Sequence, residues 1–342
     1  MTSETEPTLL ILGSLHDAHV ARVVARIRAQ LALRIAVIDF LQPACATLHM
    51  DCLGQHRLEV GGTAIVAPLL VWDRVKIVPG TGLYPAGEPR EAEYVAQEWI
   101  GFYQAVRELY RDVLVNPLAS RQASTKLRQQ ALAAQQGFSV PPSLLANEKS
   151  PLLCFQAAQS GHVIMKSVAG RPLRPPPEHK VAVVYHVMTM RLGERDLADA
   201  DPASLSGCPH FIQAEIAKDH ELRVVVAGNQ LRAFRVRSQE SPLSEVDWRK
   251  GMQVVRFEAC ALEPALQHRL LGFMRAAGLV FGSVDLIVDR HGDVWFLECN
   301  PDGAWGWLDD LVDGAVADLI AGYLVQQLRE RGAPLLPVAV PA

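Results

Sequence analysis

Two carboxylates and one amide near the end of the sequence have a spacing that could hold a metal ion. Apolar residues flank the turn-forming sequence RHGD at 290–293 and predict a β-hairpin over 283–299. If the two central turn residues form its loop, Asp285 lies directly opposite Glu298. Side chains two apart on a strand share a face. We therefore expect Asp285, Glu298 and Asn300 to converge on one patch.

Carboxylates that face each other inside apolar strands need a compensating charge. Like charges directly opposite across strands are destabilising, and buried carboxylates persist only with a cation or a proton. Oxygen ligands of this kind suit Mg²⁺, which takes one or two carboxylates and completes its shell with water and nucleotide phosphates. Asp285, Glu298 and Asn300 are therefore candidate magnesium ligands. An ordinary hairpin with acids facing the solvent is the alternative.

Two lysines are candidates for binding phosphate. Lys166 interrupts the apolar strand pattern HVIMKSV, which is unfavourable unless its ammonium group reaches water or a phosphate. A loop with four prolines follows at 171–180 and is typical of a mobile lid or a linker. A position on an edge strand is the alternative for Lys166. Lys126 by itself is typical of a solvated lysine on a helix.

Arginines on a second predicted hairpin extend the basic surface. The strand-like sequence at 211–239 carries Arg223, Arg235 and Arg237, and the last two share a face because they are two residues apart. Several arginines on one sheet near an acidic patch are suited to charge-assisted hydrogen bonds with phosphate. We therefore expect this hairpin to contribute to the same site.

The overall composition excludes several classes of function. The 342 residues are 49% hydrophobic, which is enough for a folded chain, and their number favours more than one structural unit. A formal net charge of −4 and 6% aromatic residues disfavour a general nucleic-acid binder. The charge is unevenly distributed, however. Residues 218–256 hold eight Lys/Arg against five Asp/Glu, whereas residues 281–310 hold seven acids and one arginine, a separation that suits a Mg²⁺–nucleotide site.

Targeting and redox signals favour a cytoplasmic protein. The start of the sequence, MTSETEPTLLILG, is acidic before its apolar run, unlike a basic secretory signal. No uncharged apolar run reaches the roughly twenty residues that a membrane helix needs. The six cysteines form no CxxC pair, which favours reduced thiols over a disulfide framework or a zinc site. We expect a soluble cytoplasmic chain that binds neither membrane nor nucleic acid.

The elements expected to position these residues begin with a strand–helix–strand unit. Strands at 8–15 and 33–40 flank a helix at 17–31, which predicts a parallel α/β unit without a GxGxxG dinucleotide fingerprint. Asp17 is expected to cap this helix beside two exposed histidines, His16 and His19, although substrate contact is the alternative. The other predicted elements are a small hairpin within 46–71, helices at 91–111, 120–136, 264–277 and 310–330, a strand at 162–168, and strand-rich sequence at 182–238.

These residues resemble the ATP-grasp superfamily, and within it the microviridin-type, or graspetide, ligases that macrocyclise ribosomal peptides. The resemblance covers roughly residues 110–330, with a weaker match in the N-terminal α/β unit. It is carried by VNPLASRQASTKLRQQALAAQQGFSVPPSLLAN (115–147), VIMKSVAG (163–170), FIQAEIAKDHELRVVVAG (211–228), SQESPLSEVDWRK (238–250) and FLECNPDGAWGWLDD (296–310). It implies a fold of mixed α/β and α+β class: an N-terminal α/β domain at 1–115, a central subdomain at 116–205, a β-rich ATP-binding subdomain at 206–332, and a tail at 333–342.

The resemblance also implies roles for individual residues. Lys126 and Lys166 match the two nucleotide lysines, and the hinge that binds adenine through its backbone matches Gln213, Ala214, Glu215 and Ile216. The acid and the arginine after the hinge match Glu221 and Arg223, and the magnesium ligands match Asp285, Glu298 and Asn300, which would hold two ions. Candidate catalytic cations are Lys166, Arg223 and Arg235. Related sequences tend to place an acid directly after the hinge glutamine, whereas this sequence has Ala214 and then Glu215.

The implied reaction is the ATP-dependent activation of a carboxylate as an acyl phosphate. In the peptide ligases, that carboxylate is a Glu or Asp side chain of a precursor peptide with leader and core segments. A Ser/Thr hydroxyl or a Lys amine of the same peptide attacks it, which gives an ω-ester or an ω-amide ring. A homodimer is a further expectation of the family. Two alternatives remain: another ATP-grasp carboxylate–amine ligase, such as a glutamate or small-peptide ligase, and a non-catalytic nucleotide-binding protein.

Overall fold

The structure is a computed structural model that describes residues 7–39, 46–65, 67–75, 89–170 and 187–336. The predicted proline loop at 171–180 lies outside the described residues. The strands are β1 Thr8–Gly13, β2 Arg34–Asp39, β3 Ala46–Met50, β4 His56–Val60, β5 Thr63–Ile65, β6 Leu70–Asp73, β7 Leu114–Val115, β8 Ser143–Ala146, β9 Val163–Lys166, β10 Met190–Leu192, β11 His210–Ala214, β12 Lys218–Ala227, β13 Gln230–Val236, β14 Phe257–Cys260, β15 Phe281–Asp289 and β16 Val294–Asn300. The helices are α1 Ala18–Arg28, α2 Pro89–Leu109, α3 Leu118–Gln122, α4 Lys126–Gln135, α5 Lys149–Ala158, α6 Asp196–Asp199, α7 Pro202–Ser206, α8 Pro264–Ala277, α9 Gly306–Asp310 and α10 Ala315–Glu330.

The N-terminal part is built on a parallel sheet with the strand order β2-β1-β6-β7. All six residues of β1 are buried, as expected for a central parallel strand that is covered on both faces. The apolar stripe of α1 consists of Val20, Val23, Val24 and Ile27, and Asp17 caps the helix. The predicted hairpin within 46–71 is instead a three-stranded sheet, β3-β4-β5, and β6 joins the parallel sheet.

Two antiparallel sheets follow, and the site lies between them. The central sheet has the order β10-β9-β11-β8, and the C-terminal sheet has the order β14-β13-β12-β15-β16. One face of the C-terminal sheet packs on α8 through a cluster that includes Leu270, Phe273 and Phe296. Its other face contributes Val225 and Phe234 to a cluster with α1 and α10, which joins this sheet to the N-terminal part. No helix of the described residues is long and apolar enough to cross a membrane.

Part of the sequence predicted to be strand-rich is helical. Within 182–238, helices α6 and α7 occupy the chain between β10 and β11. Local capping explains α7, because the Asp201 side chain accepts hydrogen bonds from the N–H groups of Ala203 and Ser204, and Pro202 occupies the first helical position. The pattern of hydrophobic residues does not indicate this helix N-cap.

The helix predicted over 120–136 is divided into α3 and α4. The break occurs because Thr125 adopts an extended backbone conformation, with φ −83° and ψ 152°, and acts as the N-cap residue of α4. The N–H group of Gln129 then donates to the carbonyl of Thr125 at 2.9 Å. As a result, Lys126 lies at the start of a helix and not in its middle.

The β15–β16 hairpin has the predicted pairing at its carboxylates but a different loop. Near the turn, Val288 lies opposite Val294, and the loop spans 290–292, so the two-residue loop assumed from the sequence is wrong. A β-bulge between Asp285 and Leu286 changes the register by one residue and leaves Leu297 without a partner on β15. The bulge compensates for the longer loop. Asp285 therefore lies opposite Glu298, as the sequence predicts.

Candidate functional site

A cleft between the central and C-terminal sheets brings together nearly all of the residues that the sequence singled out. Its cavity volume is about 300 Å³, at the lower end of the range typical of small-molecule sites. Eleven of the predicted site residues line it: Lys126, Lys166, Gln213, Ala214, Glu215, Ile216, Glu221, Arg223, Asp285, Glu298 and Asn300. They come from segments far apart in the sequence, on or beside the two sheets and on α4.

A row of charged side chains crosses three neighbouring strands at the floor of the cleft. Arg223 on β12 lies opposite Asp285 on β15, which lies opposite Glu298 on β16. The Nη1 atom of Arg223 donates to both carboxylate oxygens of Asp285 at 2.9 and 2.7 Å. The two side chains are only 7% and 16% exposed. Burial raises the pKa of the Asp285 carboxyl, and the Arg223 charge partly offsets this effect.

Glu298 is paired with a lysine from the central part. The Nζ atom of Lys126 lies 2.7 Å from a carboxylate oxygen of Glu298. Burial alone would raise the pKa of Glu298, but the positive charges of Lys126, Lys166 and Arg249 lower it overall. Glu298 is therefore an anion at neutral pH. Lys126 sits at the start of α4, so this ion pair joins α4 to the edge strand β16.

The donor chemistry of the floor fits Mg²⁺ bound together with a nucleotide. Asp285 and Glu298 supply carboxylate oxygens, and Asn300, two residues after Glu298 on β16, presents its amide on the same face as Glu298. The described residues contain no group of three or more His, Cys, Asp or Glu that could hold a metal ion. Two carboxylates and one amide suit Mg²⁺ only when phosphates and water complete its shell.

The loop after β16 is held against the floor. The side-chain oxygen of Asn300 accepts a hydrogen bond from the N–H of Asp302 at 2.9 Å, and the Nη2 atom of Arg223 donates to the carbonyl of Ala304 at 3.2 Å. A Cβ atom at Gly303 would lie 2.3 Å from the Oγ atom of Ser283. Glycine at this position therefore permits the close approach that brings the Ala304 carbonyl to Arg223.

Lys166 lies on the opposite wall of the cleft, within a chain of hydrogen bonds. Its Nζ atom donates to the Oε1 atom of Gln213 at 2.9 Å, and the Nε2 atom of Gln213 donates to the Oγ atom of Ser143 at 2.9 Å. Burial lowers the pKa of Lys166 to about 8. The ammonium group is thus held in the cleft with no carboxylate hydrogen-bonded to it among the described residues.

The predicted hinge ends β11 and leaves one N–H group available. The N–H of Ala214 donates to the carbonyl of Pro142, and that of Glu215 donates to the carbonyl of His162, both at 2.9 Å. No acceptor for the N–H of Ile216 is found within the described part of the chain. Of these three groups, Ile216 is therefore the one free to donate to a ligand in the cleft.

The Glu215 carboxylate is engaged at the edge of the cleft. Arg191 on β10 donates to both of its oxygens at 2.8 and 2.6 Å, and also to Glu245 at 2.8 Å. Since Glu245 belongs to the loop after β13, the arginine links the central sheet to the C-terminal part. Glu215, the acid that this sequence places one residue later than the family pattern does, therefore has a structural partner.

Sequence reasoning missed Lys218, which also lines the cleft. Its Nζ atom donates to Glu221 at 2.7 Å and to the carbonyl of Val246 at 3.2 Å. The two side chains meet because the register shifts between Lys218 and His220, which changes the strict alternation of faces along β12. The spacing of the lysine and the acid in KDHE was the only signal, and it does not predict a bulge.

A second missed pair is Asp247 and Arg249, although both belong to the sequence DWR that carried the family resemblance. The Nε and Nη2 atoms of Arg249 donate to the two oxygens of Asp247 at 2.8 and 2.6 Å. The N–H of Thr189 donates to the same carboxylate at 3.0 Å. Burial opposes the ionisation of Asp247, but these hydrogen bonds lower its pKa to about 2. A buried anion thus fixes a cation that lines the cleft.

The structure is similar in fold to several solved structures. No family model and no curated protein matches the sequence. A RiPP-associated ATP-grasp ligase from Chryseobacterium gregarium, solved with ADP and a leader and core peptide, is similar in structure with a TM-score of 0.78, 20% identity, and coverage of 94% of this chain and 97% of that chain. The macrocyclase MdnC from Microcystis aeruginosa MRC, bound with precursor peptide MdnA, has a TM-score of 0.75 and 23% identity. The match covers 93% of this chain and 99% of that chain. The ATP-grasp ligase PsnB, complexed with minimal precursor, Mg and ADP, has a TM-score of 0.68 and 22% identity. The match covers 94% of this chain and 98% of that chain.

The chain has the ATP-grasp fold. The fold that the sequence resemblance implied is thereby confirmed, over almost the whole chain. Within this ATP-grasp chain, β11 lies in the segment 206–332 that was assigned to the C-terminal subdomain, yet it pairs with β8 and β9 of the central sheet. The hinge residues therefore belong to the wall that also carries Lys166.

Arg235 is the one predicted site residue that does not line the ATP-grasp cleft. It pairs with Leu222, whereas Arg223 pairs with Phe234, so Arg235 and Arg223 occupy opposite faces of the sheet. Arg237 shares the face of Arg235 and pairs with Glu258 at 3.1 Å. The expectation that this hairpin directs all three arginines to one site is wrong. The pairing of β12 with β13 places Phe234, not Arg235, on the same face as Arg223.

His19 has a structural role that the sequence did not indicate. Asp17 caps α1 as expected, and its carboxylate also binds the Nδ1 atom of His19 at 2.7 Å. The Nε2 atom of His19 accepts hydrogen bonds from the N–H groups of Trp305 and Gly306 at 3.2 and 3.0 Å. Of the two histidines expected to be exposed, only His16 is exposed. His19 fastens the N-terminal part to the loop that follows the predicted metal ligands.

Proposed function

We propose that the protein is an ATP-dependent ligase that links side chains within a ribosomally synthesised precursor peptide. One observation carries the proposal: a single cleft brings two lysines, Lys126 and Lys166, together with two opposed carboxylates and an amide. This combination of phosphate-binding cations and oxygen ligands suits a nucleotide with Mg²⁺. The shared fold with ligases solved in complex with ADP and with precursor peptides supports the choice of a peptide as substrate.

In this proposal, the walls of the cleft bind ATP. The free N–H group of Ile216 donates to the adenine, while Lys126 and Lys166 bind phosphate oxygens. Asp285, Glu298 and Asn300 would hold Mg²⁺, which supplies charge neutralisation at the transferring phosphoryl group. Two ions balance the charge of two carboxylates and a triphosphate better than one, so we propose two.

The reaction then proceeds in two balanced steps. A Glu or Asp side chain of the peptide attacks the terminal phosphorus of ATP, which releases ADP and leaves an acyl phosphate on the peptide. A Ser/Thr hydroxyl or a Lys amine of the same peptide attacks that acyl carbon, loses its proton, and expels phosphate as an ω-ester or ω-amide forms. Lys166, Arg223 and Arg249 offset the negative charge that develops on the phosphoryl group.

Incubation with a candidate precursor tests this function. The substrate is a short peptide encoded beside this chain, with a Thr/Ser- and Glu/Asp-rich tail, and the reaction contains ATP and Mg²⁺. We expect mass spectrometry to show the loss of one water per ring, with one ADP formed for each. An unchanged peptide mass, together with ATP consumption on free amino acids, would instead indicate the carboxylate–amine ligase alternative.

The lowered pKa of Lys166 predicts a pH-dependent affinity for ADP. Below about pH 8 the ammonium group is protonated and binds phosphate, whereas above that pH it is neutral in the free protein. Affinity for ADP should therefore fall as the pH rises above about 8, by up to about tenfold per unit. Isothermal titration calorimetry across this range measures the slope.

The Lys166→Met variant should bind ADP more weakly and lose this slope. Lys149 offers a matched control, because its Nζ atom donates to the carbonyls of Ala198 and Ala200, outside the cleft. We expect Lys149→Met to retain both the affinity and the slope of the wild type. A slope that persists in Lys166→Met would show that another group titrates.

A further inference from the structure

The buried side chain of Gln129 acts as a peptide group for one residue of the edge strand β16. Gln129 lies on α4 and is only 3% exposed. Its Oε1 atom accepts a hydrogen bond from the N–H of Cys299, and its Nε2 atom donates to the carbonyl of the same residue, both at 2.8 Å. The Nε2 atom also donates to the Oγ atom of Ser124 at 2.6 Å. The carboxamide is therefore fully engaged.

The position of this contact connects it with the predicted metal site. Cys299 stands between Glu298 and Asn300, at the end of a strand that has only one neighbour, β15, in its sheet. An edge strand leaves alternate N–H and C=O groups unpaired. At Phe296 the N–H group donates to the carbonyl of Ser139, with an N···O distance of 2.9 Å, and at Cys299 the carboxamide of Gln129 pairs with the edge.

The same helix also carries Lys126, one turn before Gln129. Lys126 pairs with Glu298 at 2.7 Å, so α4 reaches the strand end through one charged and one neutral contact. The contact with Cys299 is directional, because both the donor and the acceptor of the carboxamide are used. This contact fixes the position of the Cys299 backbone relative to α4. It thereby fixes the positions of the neighbouring side chains, Glu298 and Asn300.

We propose that Gln129 is a positioning residue that aligns Glu298 and Asn300 with Lys126 for binding the Mg²⁺–nucleotide complex. It acts through the backbone of Cys299 and does not line the cleft. The inference rests on the proposed function, because it assumes that these oxygens hold Mg²⁺ beside the phosphates. Partners that orient metal ligands typically change metal affinity by about 10-fold to 100-fold when they are replaced.

The test compares ADP binding with and without Mg²⁺ by isothermal titration calorimetry. In Gln129→Met, the side chain keeps a similar length but can pair with neither group of Cys299. We expect the gain in ADP affinity that Mg²⁺ produces to fall by about tenfold, while the affinity for ADP without Mg²⁺ stays within about twofold of the wild type. Hydrogen exchange at the Cys299 amide should become faster in the same variant.

Gln156 provides a matched control. It is also a buried glutamine, on α5, and its Nε2 atom donates to the carbonyl of Gly193 at 3.0 Å, outside the cleft. Gln156→Met should lose stability and keep the full effect of Mg²⁺. Rescue is expected from Gln129→Glu only for exchange at the Cys299 amide, since a carboxylate still accepts that N–H but cannot donate to the carbonyl.

Three outcomes overturn the inference. If Gln129→Met retains the wild-type gain in ADP affinity from Mg²⁺, this inference is overturned and the proposed function is not. The same holds if Gln129→Met loses ADP affinity equally with and without Mg²⁺. The absence of any Mg²⁺ effect in the wild type would overturn the proposed function together with it. If Gln129→Met does not fold, Gln129→Asn, which is one methylene shorter and cannot span the distance, replaces it with the same expectations.

Discussion

Replacing Glu298 with glutamine should lower peptide modification by about a thousandfold, because the variant keeps the shape of the side chain and loses its anionic oxygen. Glu298 lies opposite Asp285, and its carboxylate is 2.7 Å from the Nζ atom of Lys126. Nearby positive charges lower its pKa, so it is an anion. Its loss removes one of the two carboxylates that we propose bind Mg²⁺, and it leaves Lys126 without its anion. The rate of water loss from the precursor peptide, followed by mass spectrometry, measures the effect.

A second glutamate on the same sheet serves as the control for Glu298→Gln. Glu258 on β14 forms an ion pair with Arg237 at 3.1 Å, on the face that points away from the cleft. Glu258→Gln should modify the peptide at the wild-type rate. Product formation by Glu298→Gln at a comparable rate would refute the assignment of Glu298 to the metal site. Circular dichroism of both variants checks that they are folded.

The largest effect on stability is expected at Arg223. The Arg223→Met variant leaves the Asp285 carboxylate buried without its partner, which should lower the free energy of unfolding by about 3–5 kcal/mol. The double variant Arg223→Met, Asp285→Asn removes the unpaired charge and should recover most of that loss. Neither variant should modify the peptide, because both lack the arginine that lines the cleft. Urea unfolding measures the stability of each.

The matched control for Arg223 is Arg237, which directly follows β13. Its ion pair with Glu258 is about one-third exposed on both sides, so Arg237→Met should change the free energy of unfolding by no more than about 1 kcal/mol. Additive losses in the Arg223, Asp285 double variant would show that the two side chains do not depend on each other. That result would contradict the importance of their hydrogen bonds.

Sequence patterns were sufficient for elements whose signals are local. The periodicity of α8 and the hydrophobic run of β1 predict both elements within about two residues, because each depends on side chains a few positions apart. The pairing of Asp285 with Glu298 was also predicted, although its premise was wrong. A longer loop and a bulge compensate for each other, so the prediction depended on a turn length that the hydrophobic pattern does not specify.

Contacts between distant segments account for the residues that the sequence did not reveal. Gln129 and Cys299 are 170 positions apart, and Thr189 and Asp247 are 58 apart. Neither pair has a spacing that any helix or strand periodicity would report. The face of Arg235 likewise depends on its pairing with Leu222, which residues within β13 cannot indicate.

The sequence by itself determined which residues could do chemistry: a lysine inside an apolar strand, two acids in an apolar hairpin, and an uneven distribution of charge. The tertiary structure decided which of them share a cleft and what holds them there. The physical reason is that residue type and short-range periodicity set the chemistry and the facing of a side chain within its own element. Register, bulges and the docking of α4 on β16 depend on packing and on buried hydrogen bonds between elements, which arise only when the whole chain is folded.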